Sequence, residues 1–179
     1  DAGLGDSIAV NGCCLTVVSH DGAEWTADVM QETLDKTSLQ GVQSGDRVNL
    51  ERAVTADKRV GVHIAQGRVD AVGHVVRRTP SEHWEVVEIA MPPELGRYLV
   101  DKGSITVDGV SLTVAGLTGT TFSVSLIPTT LALTTLGTKD VGDPVNLEVD
   151  VLAKYVERLL ATRFASPAAQ PTPTPAEES

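Results

Sequence analysis

Up to Asp150 the chain is written in short runs of Val, Ile, Leu and Thr, broken every few residues by Gly, Asp, Asn or Ser. Runs of this length, rich in β-branched residues and punctuated by turn formers, predict an all-β protein. Asn11-Gly12 and Asp108-Gly109 are the clearest local signals, because a type I′ hairpin turn needs positive φ at both central residues. A two-residue turn fixes the register around it: Val10 faces Cys13, Ala9 faces Cys14, Ile8 faces Leu15 and Ser7 faces Thr16. Cross-strand partners share a face. Ile8, Val10, Cys13 and Leu15 therefore make an apolar side, and Ser7, Ala9, Cys14 and Thr16 a small, polar one. The second hairpin sorts alike, with Ile105, Val107, Val110 and Leu112 on one side and Ser104, Thr106, Ser111 and Thr113 on the other.

The two hairpins belong to a longer internal repeat. Ser7–Ala53 recurs without a gap as Ser104–Asp150, every pair 97 residues apart, and Gly45-Asp-Arg-Val-Asn-Leu-Glu51 returns as Gly142-Asp-Pro-Val-Asn-Leu-Glu148. That period is too long for a solenoid and suits two small domains. The expected division is residues 1–62, 63–150, a helix at 151–164 and a tail from 165 to 179. The second copy extends back to about Gly67, so the first domain is expected to lack its opening strands, through truncation ahead of Asp1. After Asp150 the period changes: Leu152, Tyr155, Val156 and Leu159 form one apolar helical stripe. Such a stripe packs on its own domain or on a partner helix. The Pro- and Ala-rich run from Ser166 reads as a disordered tail.

Composition narrows the function. Hydrophobic residues make up 41% of the 179 residues but aromatics only 3%, so the cores rest on Val, Leu and Ile. A net charge of −10 argues against nucleic acid or an anionic membrane as partner. No apolar run is long enough to cross a bilayer, and a cytoplasmic location is expected. Cys13 and Cys14 are the only cysteines, and adjacent cysteines form no disulfide framework. With His20, His63, His74 and His83 scattered, no zinc-ligand spacing exists, and no phosphate loop or hydrolase elbow is present. Gly61–Gly67 reads as a turn rather than a dinucleotide fingerprint.

Cys14 is the candidate nucleophile. A cysteine in a Val-rich strand is usually a small core residue, which fits Cys13 on the apolar side but not Cys14 on the polar one. Ser111 replaces Cys14 in the second copy, so one fold carries two unlike outward faces. Each is either solvated surface or a shallow site that a second surface must close. Asp150, whose counterpart is Ala53, suits a helix N-cap, and a chemical role does not conflict with capping. Thr129-Thr130 and Thr134-Thr135 return Glu32-Thr33 and Thr37-Ser38, giving hydroxyls suited to a polyhydroxy ligand.

The paired Asn-Gly-Cys-Cys-Leu-Thr and Asp-Gly-Val-Ser-Leu-Thr motifs, with Leu126-Ile-Pro-Thr-Thr-Leu131 and Thr134-Thr-Leu-Gly137, closely resemble the riboflavin synthase family of α-chain type. The likeness runs to about Leu160. It implies two tandem Greek-key β-barrels, the first without its N-terminal strands here, followed by a C-terminal helix that helps form a homotrimer. It implies the conversion of two 6,7-dimethyl-8-ribityllumazine molecules into riboflavin and 5-amino-6-ribitylaminouracil, with no metal or cofactor. Lumazine synthase is a candidate partner.

By the same resemblance, the first site uses Cys14, Leu15 and Thr16, lined by Asp28, Val29, Met30, Gln31, Glu32 and Thr33. The second uses Ser111, Leu112, Thr113, Lys102, Gly67, Arg68 and Val69, lined by Leu126, Ile127, Pro128, Thr129 and Thr130. Cys14, Ser7, Asp150 and Arg68 are the implied chemical residues. The family reads Gly-Gly-His followed by Gly-His-Val-Asp, whereas Val62 and Arg68 stand here for the second Gly and the second His. An imidazole shuttles protons near neutral pH and a guanidinium does not, so Arg68 suits orienting a ligand oxygen. The family's opening Met-Phe-Thr-Gly also contributes to the first site. A non-enzymatic lumazine- or flavin-binding protein of the same fold is the alternative.

Overall fold

A computed structural model describes residues 2–59, 61 and 63–164, so Val62 and the 165–179 tail lie outside the described residues. The first copy contributes β1 (Ser7–Val10), β2 (Cys13–Thr16), β3 (Ser19–His20), β4 (Trp25–Thr26), α1 (Gln31–Lys36) and β5 (Leu50–Arg52). The second contributes β6 (Ala71–Pro80), β7 (Glu85–Ala90), β8 (Ser104–Val107), β9 (Val110–Thr118), β10 (Thr121–Leu126), α2 (Pro128–Leu133) and β11 (Pro144–Val149). Helix α3 (Val151–Phe164) closes the described chain.

Both hairpins pair in the expected register, Ala9 opposite Cys14 and Thr106 opposite Ser111. Asn11, Gly12, Asp108 and Gly109 all have positive φ, as a type I′ turn requires. The second copy closes into an antiparallel six-stranded barrel in the order β10-β7-β6-β11-β8-β9. Register shifts leave one extra residue in β6, between Val75 and Arg77, and one in β9, between Val114 and Gly116, and bend those strands around the core. Phe122, Ile89, Ile105, Leu126 and Leu147 fill the interior, each almost wholly buried.

The first copy does not close. Its main sheet is the three-stranded β2-β1-β5, beside a separate β3-β4 ribbon. The cost is visible at one repeated position: Leu147 is 0% exposed in the barrel, whereas its counterpart Leu50 is 57% exposed. Among the described residues of this half, only Ile8, Cys13 and Val17 are buried apolar ones.

The two halves meet turn against turn, and the contacts are reciprocal, as across a local twofold axis. The Asn49 side-chain amide donates to the Asp108 carbonyl at 2.9 Å, and that of Asn146 to the Asn11 carbonyl at 2.8 Å. The same two side chains accept from Thr135 N–H and Ser38 N–H at 2.8 and 2.7 Å. Within each half, Asn11 Oδ1 accepts Asn49 N–H and Asp108 Oδ1 accepts Asn146 N–H, both at 2.7 Å. Gly12 and Gly109 touch backbone to backbone: a Cβ on Gly12 would lie 2.6 Å from Gly109 N. Asp108 breaks the symmetry with a charge. It is 0% exposed, its Oδ2 has no hydrogen-bond partner, and Lys139 Nζ lies 3.8 Å away. Burial pushes its carboxyl up to about 6, against the pull of the Asn146 N–H and the Lys139 charge.

Helix α3 is mounted the other way round from an ordinary surface helix. Lys154 reaches Asp70, and Glu157 accepts from Tyr98 and pairs with Arg97 at 2.9 Å. The polar side thus faces the barrel, while Leu152, Tyr155, Val156 and Leu159 are all exposed. The stripe is thus exposed in the single chain rather than buried on its own domain, the first of the two expectations.

Candidate functional site

The outward faces of the two hairpins are as the alternation predicts, with one exception. On the first, Ser7 and Thr16 are exposed and Ala9 and Cys14 half-buried. On the second, Ser111 and Thr113 are exposed and Ser104 half-buried, but Thr106 is only 2% exposed. The connector between the halves explains the difference. His63 lies over this face, Nε2 3.0 Å from Thr106 Oγ1 and Nδ1 3.0 Å from Ser111 Oγ.

The connector then crosses to the other half. The Glu148 carboxylate accepts the backbone N–H groups of Gln66 at 2.7 Å and Gly67 at 3.0 Å. The Gly67 carbonyl in turn accepts the Cys14 N–H at 2.9 Å. Gly67 sits at φ +73°, and a Cβ there would lie 2.7 Å from the Cys14 Cβ. Residues 63–67 are therefore a strap joining the halves and not the expected turn. The resemblance gave Gly67, Arg68 and Val69 to the second site; here Gly67 rests on Cys14 of the first face. Burial and the neighbouring Cys14 raise the Cys13 thiol, and the charge of Arg68 lowers it in part.

The other expected residues are distributed unevenly. Leu15 and Leu112 are half-buried on the apolar sides of their hairpins, and Leu126 is 1% exposed inside the barrel, so these three side chains do not belong to the outward faces. Ile127, Pro128 and Thr129 are exposed at the start of α2, and Thr130 is half-buried. Asp28, Val29, Met30, Gln31 and Glu32 are exposed on the approach to α1, and Thr33 is half-buried. Lys102 is exposed, in the left-handed conformation, with Nζ 3.3 Å from the Ala115 carbonyl. Asp150 Oδ1 accepts the Leu152 N–H at 2.9 Å, so the N-cap reading holds. No metal-binding cluster occurs among the described residues.

His63 and Glu148 are the residues that the sequence reading passed over. Glu148 closes a repeated motif and its twin Glu51 is exposed, so the pattern marked both without saying which was bound. His63 is the histidine of the family's Gly-Gly-His motif in this chain, and its place in that motif said nothing of the hydroxyls it meets.

The lumazine binding domain family matches residues 2–53 and 66–150. A riboflavin synthase of Mycobacterium bovis is 63% identical over 165 residues, covering 89% of this chain and 82% of the relative. That of Bacillus subtilis is 47% identical over 160 residues, covering 89% and 74%. Among solved structures, LumP complexed with riboflavin superposes with a TM-score of 0.77 at 26% identity, over 83% of this chain and 80% of that one. LumP complexed with 6,7-dimethyl-8-(1′-D-ribityl)lumazine gives 0.74 at 27% identity, over 83% and 79%.

Proposed function

The chain belongs to the riboflavin synthase family of lumazine-binding proteins, with its place in riboflavin biosynthesis, and from that membership we propose the reaction it performs. Two molecules of 6,7-dimethyl-8-ribityllumazine are joined and split, one passing a four-carbon unit to the other, to give riboflavin and 5-amino-6-ribitylaminouracil. The observation that carries this reading is the doubled outward face with Cys14 on one copy and Ser111 on the other, in a chain 63% identical to a riboflavin synthase. One lumazine must lose a proton from its C7 methyl and the other must accept a nucleophile at C7, so two related but unequal faces suit the two roles.

On the first face, Cys14 with Ser7 and Thr16 receives one ligand, and Arg68 orients a carbonyl or ribityl oxygen. Asp28–Thr33 and, on the second half, Lys102, Thr129 and Thr130 supply polar contacts along the ribityl chain. Asp150 assists from the start of α3. Each face keeps exposed hydroxyls beside the strap, Ser7 and Thr16 on the first and Ser111 and Thr113 on the second, which supports closure by a second copy: a homotrimer in which the first face of one chain meets the second face of the next. The exposed stripe of α3 and the apolar groove beside it, lined by Tyr98, Val100, Val156 and Leu160, support the same assembly. Lumazine synthase is a partner in this reading, and the protein acts in the cytoplasm.

A non-enzymatic binder is the second reading, favoured by Arg68 and by the likeness to LumP complexes. Identities of 47–63% to synthases against 26–27% to LumP favour the enzyme. Incubation with the lumazine, followed by absorbance, decides between them. Riboflavin formation, lost in Cys14→Ala and in Ser111→Ala, is the expected result. Tight lumazine binding with no riboflavin formed would leave the binder.

A further inference from the structure

Glu148 belongs to the barrel and is only 5% exposed. Burying a carboxylate is costly unless hydrogen bonds replace its water. Here the strap supplies them: Oε1 accepts the Gln66 N–H at 2.7 Å and Oε2 the Gly67 N–H at 3.0 Å. Two successive backbone amides on the two oxygens of one carboxylate fix the strap in rotation as well as in place. Gly67 then meets Cys14 twice. Its carbonyl accepts the Cys14 N–H at 2.9 Å, and a Cβ built on it would fall 2.7 Å from the Cys14 Cβ. The first contact holds the Cys14 backbone. The second walls one side of its Cβ and so limits the staggered positions open to the thiol. The repeat supplies the contrast, since Glu51, the twin of Glu148, is exposed.

We propose that Glu148 is a positioning residue for Cys14, acting from the second half on the first through Gln66 and Gly67. The assignment rests on the reaction proposed above, in which Cys14 receives one ligand. Glu148 moves no proton and touches no ligand in this role; it sets where Cys14 stands when the ligand arrives. A reacting group misplaced by about 1 Å can lose about 10²-fold in rate. A carboxylate in the barrel can therefore govern turnover on the open sheet without governing affinity there. Gly67 is part of the same device, because only a residue without a Cβ can lie this close to Cys14.

Two variants of the 179-residue chain and one control test the assignment. Glu148→Gln keeps one acceptor oxygen but turns an NH₂ group on the other strap amide, so two donors face each other. Gly67→Ala breaks the same link from the strap side. Glu51→Gln makes the same exchange at the exposed twin. Amide hydrogen exchange followed by NMR reads the Cys14 N–H, and riboflavin formation gives kcat and KM. The Val114 N–H, bonded to the Gly103 carbonyl at 2.9 Å in the barrel, is the reference. Glu148→Gln is expected to speed Cys14 exchange and to lower kcat, each by about ten- to hundredfold, the worth of one hydrogen bond to a charged group. KM and Val114 exchange stay close to wild type. Gly67→Ala should do the same, and Glu51→Gln should change nothing. Wild-type Cys14 exchange in Glu148→Gln overturns the assignment. So does equally faster exchange at Val114, which makes Glu148 a general support of the barrel, and so does a loss that lies wholly in KM. A wild-type chain that forms no riboflavin overturns the reaction; Cys14 exchange freed by Glu148→Gln and not by Glu51→Gln then still supports the hold of Glu148 on Cys14, and unchanged exchange overturns both.

Discussion

Replacing Gly12 by alanine puts a methyl group where the other half's backbone already is. At φ +75° the new side chain costs about 1–2 kcal/mol for the left-handed conformation alone. Its Cβ would then meet Gly109 N at 2.6 Å and Gly109 Cα at 3.0 Å. Backbone cannot swing aside as a flexible side chain does, so the two turns must separate. Separation stretches the reciprocal bonds from Asn49 to Asp108 and from Asn146 to Asn11, now 2.9 and 2.8 Å, past useful length. At about 0.5–1.5 kcal/mol net for each, the whole change costs about 2–5 kcal/mol, a large share of the 5–15 kcal/mol that usually holds a domain. Gly142→Ala is the control: φ is +98° but nothing lies within 4 Å, so only the conformational cost applies. Urea titration of both variants, followed by circular dichroism and by the fluorescence of Trp25 and Trp84, measures the difference. Gly12→Ala should unfold at the lower midpoint, with the open first sheet, which has the smaller core, melting ahead of the barrel. Equal midpoints for the two variants would refute the claim that backbone contact at the turns holds the halves together.

Three further outcomes are expected. Because burial raises the Asp108 carboxyl to about 6, above the ordinary value near 3.9, between those pH values the unfolded chain has released a proton that the folded one retains. Stability therefore falls as pH rises through that window, by up to about 1.4 kcal/mol per unit, and levels off above it. Asp108→Asn keeps the acceptor for the Asn146 N–H, and urea midpoints at pH 4.5 and 7.5 should show the slope gone; an unchanged slope assigns it to other groups. Gly67→Ala drives a Cβ into Cys14 and removes the bond to its N–H, so the rate of Cys14 alkylation by iodoacetamide should change with little effect on the barrel's melting. Asp150→Ala loses a cap worth about 0.5–2 kcal/mol; a folded variant with far lower turnover supports a chemical role, and normal turnover leaves the cap as its whole function.

Local signals in the sequence reached far. Asn11-Gly12 and Asp108-Gly109 set both registers, since a two-residue turn leaves no freedom in how its strands pair. The period change after Asp150 marked the start of α3. What stayed hidden depends on surfaces meeting at long range. Alternation puts Thr106 outward, and it is outward; it is buried because His63, 43 residues earlier, lies over it. Glu51 and Glu148 are the same letter in the same motif, yet only one meets the strap. The stripe on α3 was legible and the direction it faces was not, because that is set by Asp70, Arg97 and Tyr98 on the barrel. Leu126 belongs to a motif of the candidate site, and its strand turns it into the barrel core.

The strap also decides which stretch of chain is inherited as a working unit. Glu148 of the barrel holds Gln66 and Gly67, and Gly67 holds Cys14 of the open sheet. A recombination that exchanged residues 1–62 alone would carry Cys14 into a new protein and leave behind the carbonyl that receives its N–H. An exchange of the barrel alone would strand the strap without its carboxylate. The contacts therefore do not respect the boundary of the repeat: the strap ties Glu148 of the second copy to Cys14 of the first. A chimera made with a relative should join after residue 68 and keep a carboxylate at position 148, so that the strap, Cys14 and Glu148 meet as they do here.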